Sequence, residues 1–367
     1  MRPFALGLVS LLMIAGAVSA QQEPLEQATF RPRANPNCPP STYPTDPAAP
    51  TPLTDSMQQG QPNLFAGATE AGTQPGTMFN ANMFGDLIGI SSTQRLVLGR
   101  GTSLTTVRGL PVTGRYNGFK VTDNDNPRPS DRVFFNYNGY SAVNKSQLGA
   151  GVPNVNMNQE VLGFEKTFLQ GDASFGVRLP FIQISGFSAV EAHVVGDLSI
   201  HAKFAWVNNR QTGNVVSTGL IVTTPTGGGT TILSDGSEAP HSVLIQPWAG
   251  WVYNMDRFYL QGFHSLVVPL DNIDPTILFN SISAGYWLYR SNNDRLLQGV
   301  VPVVELHLNT PLNQSSNDLI FFNDQLNVTV GSYFVFPRMT FGGAVGIPLV
   351  GPKPYDIEAL ASVNFRF

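Results

Sequence analysis

The final stretch of sequence, residues 355–367, constrains the fold more than any other. Its alternate positions are apolar: Tyr355, Ile357, Ala359, Ala361, Val363, Phe365 and Phe367. The positions between them are Asp356, Glu358, Leu360, Ser362, Asn364 and Arg366. Side chains of a β-strand alternate between its faces, so this strand has one apolar face and one mostly polar face. An apolar face that finishes on aromatic residues is typical of the closing strand of an outer-membrane β-barrel, with a secreted β-sandwich as the alternative.

Residues 1–20 have the pattern of a secretory signal peptide. Arg2 precedes an apolar run over 4–18, and Val18, Ser19 and Ala20 form a small-residue cleavage site. The run is too short for a convincing membrane span, and no other segment approaches the length of a transmembrane helix. A chain of this kind that sits in a membrane therefore crosses it as a β-barrel.

The composition agrees with a barrel and excludes nucleic acid as a partner. Charged residues make up 13% of the chain, against about 25% in an average soluble domain, and there are 36 glycines. The formal net charge is −4, and no basic stripe is present that could neutralise phosphates. The single cysteine, Cys38, cannot form an internal disulfide and is interpreted as an incidental thiol.

Four regions follow from these patterns. The signal peptide is followed by a proline-rich segment, 21–77, which has too few apolar residues for a core and is predicted to be a disordered tail. Residues 78–128 carry more apolar side chains, with a helical spacing over 79–88 and a short strand predicted at 96–98. This segment is predicted to plug or pack against the barrel, which occupies 129–367.

Twelve antiparallel strands are predicted in the barrel region. Their approximate ranges are 130–141, 159–169, 171–181, 195–207, 213–225, 241–254, 256–268, 278–291, 298–310, 323–336, 338–348 and 355–367. The connections after strands two, four, six, eight and ten are tight, whereas those after strands one, three, five and nine are long. Alternating short turns and long loops are typical of an up-and-down membrane barrel. Prolines 180, 225, 269, 311 and 348 recur at the ends of upward strands, where ladder pairing is expected to stop.

No arrangement of residues in the sequence predicts catalysis, a metal site or a cofactor. Asp197, Ser199 and His201 share one face of the fourth strand, but side chains two residues apart on a strand lie about 7 Å apart, too far for a nucleophile and its base. The five histidines have no metal-ligand spacing. The protein is therefore predicted not to be an enzyme.

The charged side chains on the inward faces are the predicted functional surface. They are Arg132, Glu165, Arg178, Asp197, His201, Lys203, Glu305, His307, Asp356, Glu358 and Arg366. Both signs occur in near balance, so no ring of one charge predicts an ion-selective pore. Two interpretations stay open: a salt-bridged lumen that holds its shape, and a polar lining along which a small solute passes.

Several motifs carry a resemblance to a known family. They are residues 126–137 (Asn-Pro-Arg-Pro-Ser-Asp-Arg-Val-Phe-Phe-Asn-Tyr), 163–168, 173–181, 196–198 and 223–227. Over about residues 115–367 the chain resembles outer-membrane barrels related to the MetA phenol-degradation pathway proteins, in particular long-tailed members of the planctomycete type. The resemblance implies a barrel in the outer membrane and, more weakly, passage of small hydrophobic or aromatic compounds, as in fatty-acid-type channels.

The sequence therefore predicts an outer-membrane channel for passive transfer of small, hydrophobic or aromatic molecules. The alternative is a structural or anchoring barrel whose lumen is permanently filled. The expected partners are outer-membrane lipids, the barrel-assembly machinery and small hydrophobic solutes. The assembly machinery is expected to recognise the outward row of the last strand through Tyr355, Phe365 and Phe367.

Overall fold

The computed structural model describes residues 82–86, 92–100, 103–110, 120–143, 154–186, 192–227, 242–270, 276–291, 296–312, 320–322, 324–350 and 353–367. The predicted signal peptide and tail lie outside these residues. Among the described residues, no helix is long and apolar enough to cross a membrane.

Twelve long strands form the barrel. They are β1 (Arg132–Ser141), β2 (Asn156–Phe168), β3 (Ala173–Ser185), β4 (Leu198–Asn208), β5 (Val215–Thr224), β6 (Leu244–Met255), β7 (Phe258–Pro269), β8 (Ile277–Tyr286), β9 (Gly299–Pro311), β10 (Gln325–Val335), β11 (Met339–Val350) and β12 (Ile357–Arg366). Two short strands, Ala192–Val195 and Tyr289–Arg290, extend the same sheet. Each predicted strand overlaps one of the twelve, which confirms the predicted antiparallel barrel of about twelve strands.

Strand pairing closes the sheet into a barrel. Each long strand pairs antiparallel with its neighbours in sequence, from β1 through to β12. The last strand pairs with the first along its whole length, from Ile357 opposite Ser141 to Arg366 opposite Arg132. The wall therefore has no free edge, and every long strand has a hydrogen-bonded neighbour on both sides.

The two ends of the barrel differ. Tight connections (169–172, 209–214, 256–257 and 336–338) lie at the end where β1 begins and β12 ends. In two of these turns, Gln170 and Asp256 take positive φ values of 57° and 58°, a conformation that short turns require. The connections at the other end are mostly longer, such as 225–243 between β5 and β6. The predicted alternation of turns and loops is therefore present except after β8, where residues 287–298 rather than a tight turn lead to β9.

The prolines are not all placed as predicted. Pro269 and Pro311 end β7 and β9, and Pro225 follows β5, as expected. Pro180 and Pro348 lie inside β3 and β11 instead. At Pro180 the partner of β3 changes from β4 to the short strand Ala192–Val195, so the missing N–H falls at a break in the ladder.

Alternation along the strands separates an apolar outer face from a polar inner one. Exposed outward residues are mostly aliphatic along the strands and aromatic near the tight turns. The exposed aromatic side chains are Phe135, Phe164, Phe175, Phe204, Trp206, Tyr253, Phe258, Tyr286, Phe334, Phe341, Phe365 and Phe367. They form a belt at the tight-turn end, the position at which membrane barrels carry an aromatic girdle.

Outside the barrel wall, the structure only partly agrees with the sequence interpretation. A hairpin of Ser92–Arg100 and Ser103–Leu110 pairs with Ile320–Phe322, so the strand predicted at 96–98 is present. The helix predicted over 79–88 is wrong for its described part. Residues 82–86 contain no helical turn; Met83 forms an antiparallel bridge with Asp125, and Gly85 has a φ of 88°.

The outward face generates a prediction. Val330 lies at the middle of β10 and is 52% exposed on the outer face. In lipid vesicles, we expect Val330→Arg to lower the free energy of unfolding by about 2–4 kcal/mol, because a charge is placed at the bilayer midplane. Denaturant titration followed by tryptophan fluorescence measures this. Thr212→Arg, in an exposed turn, is the matched control and should be neutral; equal effects of the two substitutions would contradict the assigned outer face.

Candidate functional site

Two short segments that are not wall strands contact the inward side chains of the barrel. Residues 82–86 and 120–131 are referred to here as the inner segments. Most of their residues are buried, including Met83, Phe84 and Asp86 in the first. The Phe84 ring stacks on inward-facing Tyr333 of β10, with ring centroids 4.1 Å apart. Met83 and Val121 belong to one apolar cluster with inward residues of β5, β6 and β7.

Asp125 lies at the centre of a buried ion cluster. Its Oδ1 accepts hydrogen bonds from Arg132 Nη2 at 2.9 Å and from Lys203 Nζ at 2.8 Å, and its Oδ2 accepts one from Arg178 Nη2 at 2.6 Å. A second carboxylate, Glu165, bonds Arg132 Nε at 2.9 Å and lies 3.1 Å from Lys203 Nζ. All five residues are buried, and they are referred to here as the Asp125 cluster.

The register of the wall positions the cluster. Arg132 of β1 lies opposite Glu165 of β2, which lies opposite Gly176 of β3, which lies opposite His201 of β4. These four inward positions therefore share one level of the wall. Gly176 leaves room for the imidazole, since a Cβ at that position would overlap His201 Nε2. Neither ring nitrogen of His201 has a hydrogen-bond partner among the described residues.

The electrostatics of the cluster keep Asp125 ionised. Burial alone would raise the pKa of its carboxyl, but the positive charges of Lys203, Arg178 and Arg132 outweigh burial and hold the pKa well below its usual range. A buried ion pair that loses one partner is destabilised by about 3–5 kcal/mol, because the other charge stays behind uncompensated. The inner segment and the wall are thus energetically coupled at this point.

A second cluster joins the first inner segment to β9. Asp86 pairs with Lys120 at 2.5 Å and lies 3.5 Å from His307 Nδ1. Glu305 accepts the backbone N–H groups of Phe84 and Gly85 at 2.8 and 3.0 Å. Burial alone would raise the pKa of Asp86, but the charges of His307 and Lys120 outweigh it and lower the pKa. Within the described part of the chain, no group of acidic, His and Cys side chains is arranged to hold a metal ion.

Hydrogen bonds among three asparagines join both inner segments to β12. Asn82 Nδ2 donates to Asn124 Oδ1 at 2.9 Å and to Asn364 Oδ1 at 3.2 Å. Asn364 Nδ2 donates in turn to Asn124 Oδ1 at 2.9 Å. Arg132 of the Asp125 cluster donates to Asn364 Oδ1 at 3.0 Å, so the asparagines and the ion cluster form one polar network.

The other predicted inward residues lie apart from these clusters. Glu358 is buried and accepts hydrogen bonds from Tyr355 Oη at 3.1 Å and Asn138 Nδ2 at 2.9 Å. Asp197 is buried and accepts the Gly227 N–H at 2.8 Å. Arg366 is partly buried at the tight-turn end, where its guanidinium donates to the carbonyl of Phe336 at 3.0 Å.

Two placements at the start of the last strand are wrong. Tyr355 is predicted to face outward but is fully buried, with its ring 5.1 Å from that of Tyr140. Asp356 is predicted to face the lumen but is exposed. The physical reason is that β12 begins at Ile357, so strand alternation does not extend to these residues. Phe365 and Phe367 are exposed on the outer face, and their recognition by the assembly machinery stays a prediction.

Asp86 and Asn364 are two of the site residues that the sequence interpretation missed. Asp86 interrupts the apolar stretch of Phe84, Leu87 and Ile88, and a lone carboxylate in such a stretch is a signal for a buried charge that needs a partner. Asn364 stands on the polar face of the last strand but carries no charge. Asn364 is therefore absent from the predicted inward residues, which are all charged. Ser199, considered with His201 for catalysis, shares a hydrogen bond of 2.7 Å with Thr223 instead.

Comparison with known proteins gives structural neighbours only. No protein-family model matches the chain, and no curated protein matches it. The transport unit of the autotransporter AIDA-I from Escherichia coli has a TM-score of 0.42 at 15% identity, covering 66% of this chain and 92% of its own. The β-domain of the Bordetella autotransporter BrkA has a TM-score of 0.40 at 9% identity, covering 65% and 99%. The KdgM porin has a TM-score of 0.38 at 10% identity, covering 64% and 99%.

The fold assignment accordingly depends on the strand pairing of this chain. The proposed relation to barrels of the phenol-degradation pathway type has no family match behind it and stays a prediction.

Asp123 gives the site a pH dependence. Burial raises the pKa of Asp123 to about 8, although the charges of Lys120 and Arg178 oppose the rise. One carboxyl oxygen accepts the Lys120 N–H at 3.1 Å, and the other has no partner among the described residues. The folded protein therefore retains a proton that the unfolded chain releases around its ordinary pKa of 3.8. This contribution to stability is complete below that value and is lost as the pH rises to about 8.

We expect Asp123→Asn to reduce the fall in thermal unfolding midpoint between about pH 5 and about pH 7.5, because the variant has no proton to release. The difference between wild type and variant can reach about 1.4 kcal/mol for each pH unit in this window. Gel-shift assays of the folded barrel at stepped temperatures measure the midpoint. Asp256→Asn, in an exposed turn, is the control and should leave the fall unchanged; an identical fall in Asp123→Asn would contradict the buried, protonated carboxyl.

Proposed function

We propose that this protein is a gated outer-membrane channel for passive transfer of small solutes, in which the inner segments act as the plug. The closed wall, its apolar outer face and its aromatic belt support a location in the outer membrane. The protein acts without catalysis: the wall offers a polar path, and movement of the inner segments opens it.

The observation that carries this proposal is the polar character of the inner wall where it meets the inner segments. A barrel that is permanently filled needs only apolar packing to hold its contents, as in any protein core. Here the contacts include two ion clusters and an asparagine network. Polar contacts of this kind can be exchanged for contacts with water or a solute once the segment moves.

The rival function is a structural or anchoring barrel, with the inner segments fixed in place. In this alternative the buried ion clusters would hold the segments permanently, because separating charges that are out of water is costly. The two functions differ in one measurable respect: a channel passes solute when the inner segments are free to move, and an anchor does not.

The solute class proposed from the sequence is small and hydrophobic or aromatic. Inward aromatic side chains support an aromatic solute, among them Phe134 of β1, Trp248 of β6 and Phe263 of β7, which are all buried. Trp248 and Phe263 meet edge to face, with centroids 5.5 Å apart. An aromatic ring entering the lumen would find stacking partners at this level.

A reversible crosslink tests the proposed gate. In a Cys38→Ser background, Asn82→Cys and Asn364→Cys place thiols where the two amides now bond at 3.2 Å. A short crosslinker cleavable by reductant then joins the first inner segment to β12. We expect solute flux into proteoliposomes to stop in the crosslinked protein and to return on reduction, because the plug can leave only when it is untethered.

The single variants, each treated with the same reagent, are the controls and should keep their flux. Absence of flux in both the crosslinked and the reduced protein would support the anchoring barrel. Equal flux in the two forms would show that the inner segments do not close the lumen. Either result contradicts the gated channel.

A further inference from the structure

The Asp125 cluster combines cations of the wall with a carboxylate that does not belong to the wall. Arg132, Arg178 and Lys203 come from β1, β3 and β4, and strand pairing fixes their positions. Asp125 comes from the second inner segment. Arg132 and Lys203 also bond the wall carboxylate Glu165. If Asp125 moved away, the three cations would lose the carboxylate that bonds all of them.

Aromatic rings flank the same cations. The Arg132 and Arg178 guanidinium carbons lie 4.4 and 5.5 Å from the ring centroid of Phe134. Lys203 Nζ lies 6.0 Å from the centroid of Trp248. The buried imidazole of His201, whose ring nitrogens have no hydrogen-bond partner among the described residues, adjoins them. The wall therefore offers charge, hydrogen-bond donors and aromatic surface in one place.

We propose that Arg132, Arg178 and Lys203 form a binding site for a small organic carboxylate, and that Asp125 occupies this site as an internal substitute while the plug is in place. The inference rests on the proposed function and names its solute class: an aryl carboxylate, aromatic at one end and anionic at the other. A purely hydrophobic solute does not belong to this class, since it cannot replace the negative charge that Asp125 supplies to the three cations.

The geometry around Asp125 defines what the ligand must supply. Both carboxylate oxygens are used, one by Arg132 and Lys203 and the other by Arg178. Charge-assisted bonds to a carboxylate are about twice as strong as neutral ones, and they need a flat anionic group with two acceptor oxygens. A neutral alcohol or an amine of the same size offers neither. Binding of the solute and release of Asp125 are thus competing events at one site.

Benzoate is the probe, with benzyl alcohol and benzylamine as neutral and cationic counterparts of similar size. The full-length mature protein carrying Asp125→Ala is purified in detergent, and folding is checked by the heat-dependent gel shift. Isothermal titration calorimetry then measures binding. We expect Asp125→Ala to bind benzoate at least about tenfold more tightly than wild type and to bind neither counterpart measurably, because the cation site is vacated.

Asp125→Asn keeps the shape of the side chain without its charge, and it serves if Asp125→Ala does not fold. Asp256→Asn, in an exposed turn, is the control, since it removes a carboxylate outside the inner segments and leaves Asp125 in place; it should bind benzoate as wild type does. Adding Arg178→Gln to Asp125→Ala should abolish the gain in benzoate affinity. Three results would overturn the site. They are equal benzoate affinity in wild type and Asp125→Ala, binding of benzyl alcohol as tight as that of benzoate, and a gain in benzoate affinity that persists when Arg178→Gln is added.

Flux measurements separate this inference from the proposed function. A variant that binds benzoate but never passes solute would contradict the channel and support the site. A variant that passes solute but does not distinguish benzoate from benzyl alcohol would overturn the site alone.

Discussion

The pairing of β12 with β1 is the constraint on which the rest of the structure depends. It removes the last free edge of the sheet, so that each long strand has a hydrogen-bonded neighbour on both sides. Closure also assigns one face of every strand to the outside. Because the outer face is apolar along its length, the polar side chains of the same strands must point inward. The barrel therefore places most of these charges on its inner face, where they are buried.

The inner segments supply bonding partners for the buried charges of the wall. Among the wall residues, Arg132 and Lys203 bond Glu165 at one place, and His307 lies 3.3 Å from Glu305 at another. Asp125 complements the first group, and the backbone N–H groups of Phe84 and Gly85 complement the second. Neither the wall nor the segments would be electrostatically satisfied alone, and buried groups without partners are costly. The wall and the inner segments therefore each supply partners for buried polar groups of the other.

The wall could be predicted from the sequence because one physical rule, two-residue alternation, acts on every strand. Arg178 and Lys203, for example, were placed inward by that rule alone, and the structure buries both. The rule fails where the chain is no longer a strand, as at Tyr355 and Asp356. Which inward residues meet is a different question, since the meeting of Arg132, Arg178 and Lys203 depends on the combined register of the consecutive strands β1 to β4. Two-residue alternation predicts which face of a strand a side chain occupies, but by itself it does not predict which residues lie opposite each other on neighbouring strands.

The chemistry of the contacts decides how such a barrel can respond to a solute. Apolar packing, such as that of Phe84 on Tyr333, holds a segment in place whatever the solute is, because it discriminates poorly between small molecules. An ion cluster behaves differently, since its cations accept any carboxylate of suitable shape and reject neutral molecules. A segment held chiefly by the second kind of contact is released in proportion to the concentration of a competing anion. The proposed carboxylate site would make opening of the plug and selection of the solute one and the same event.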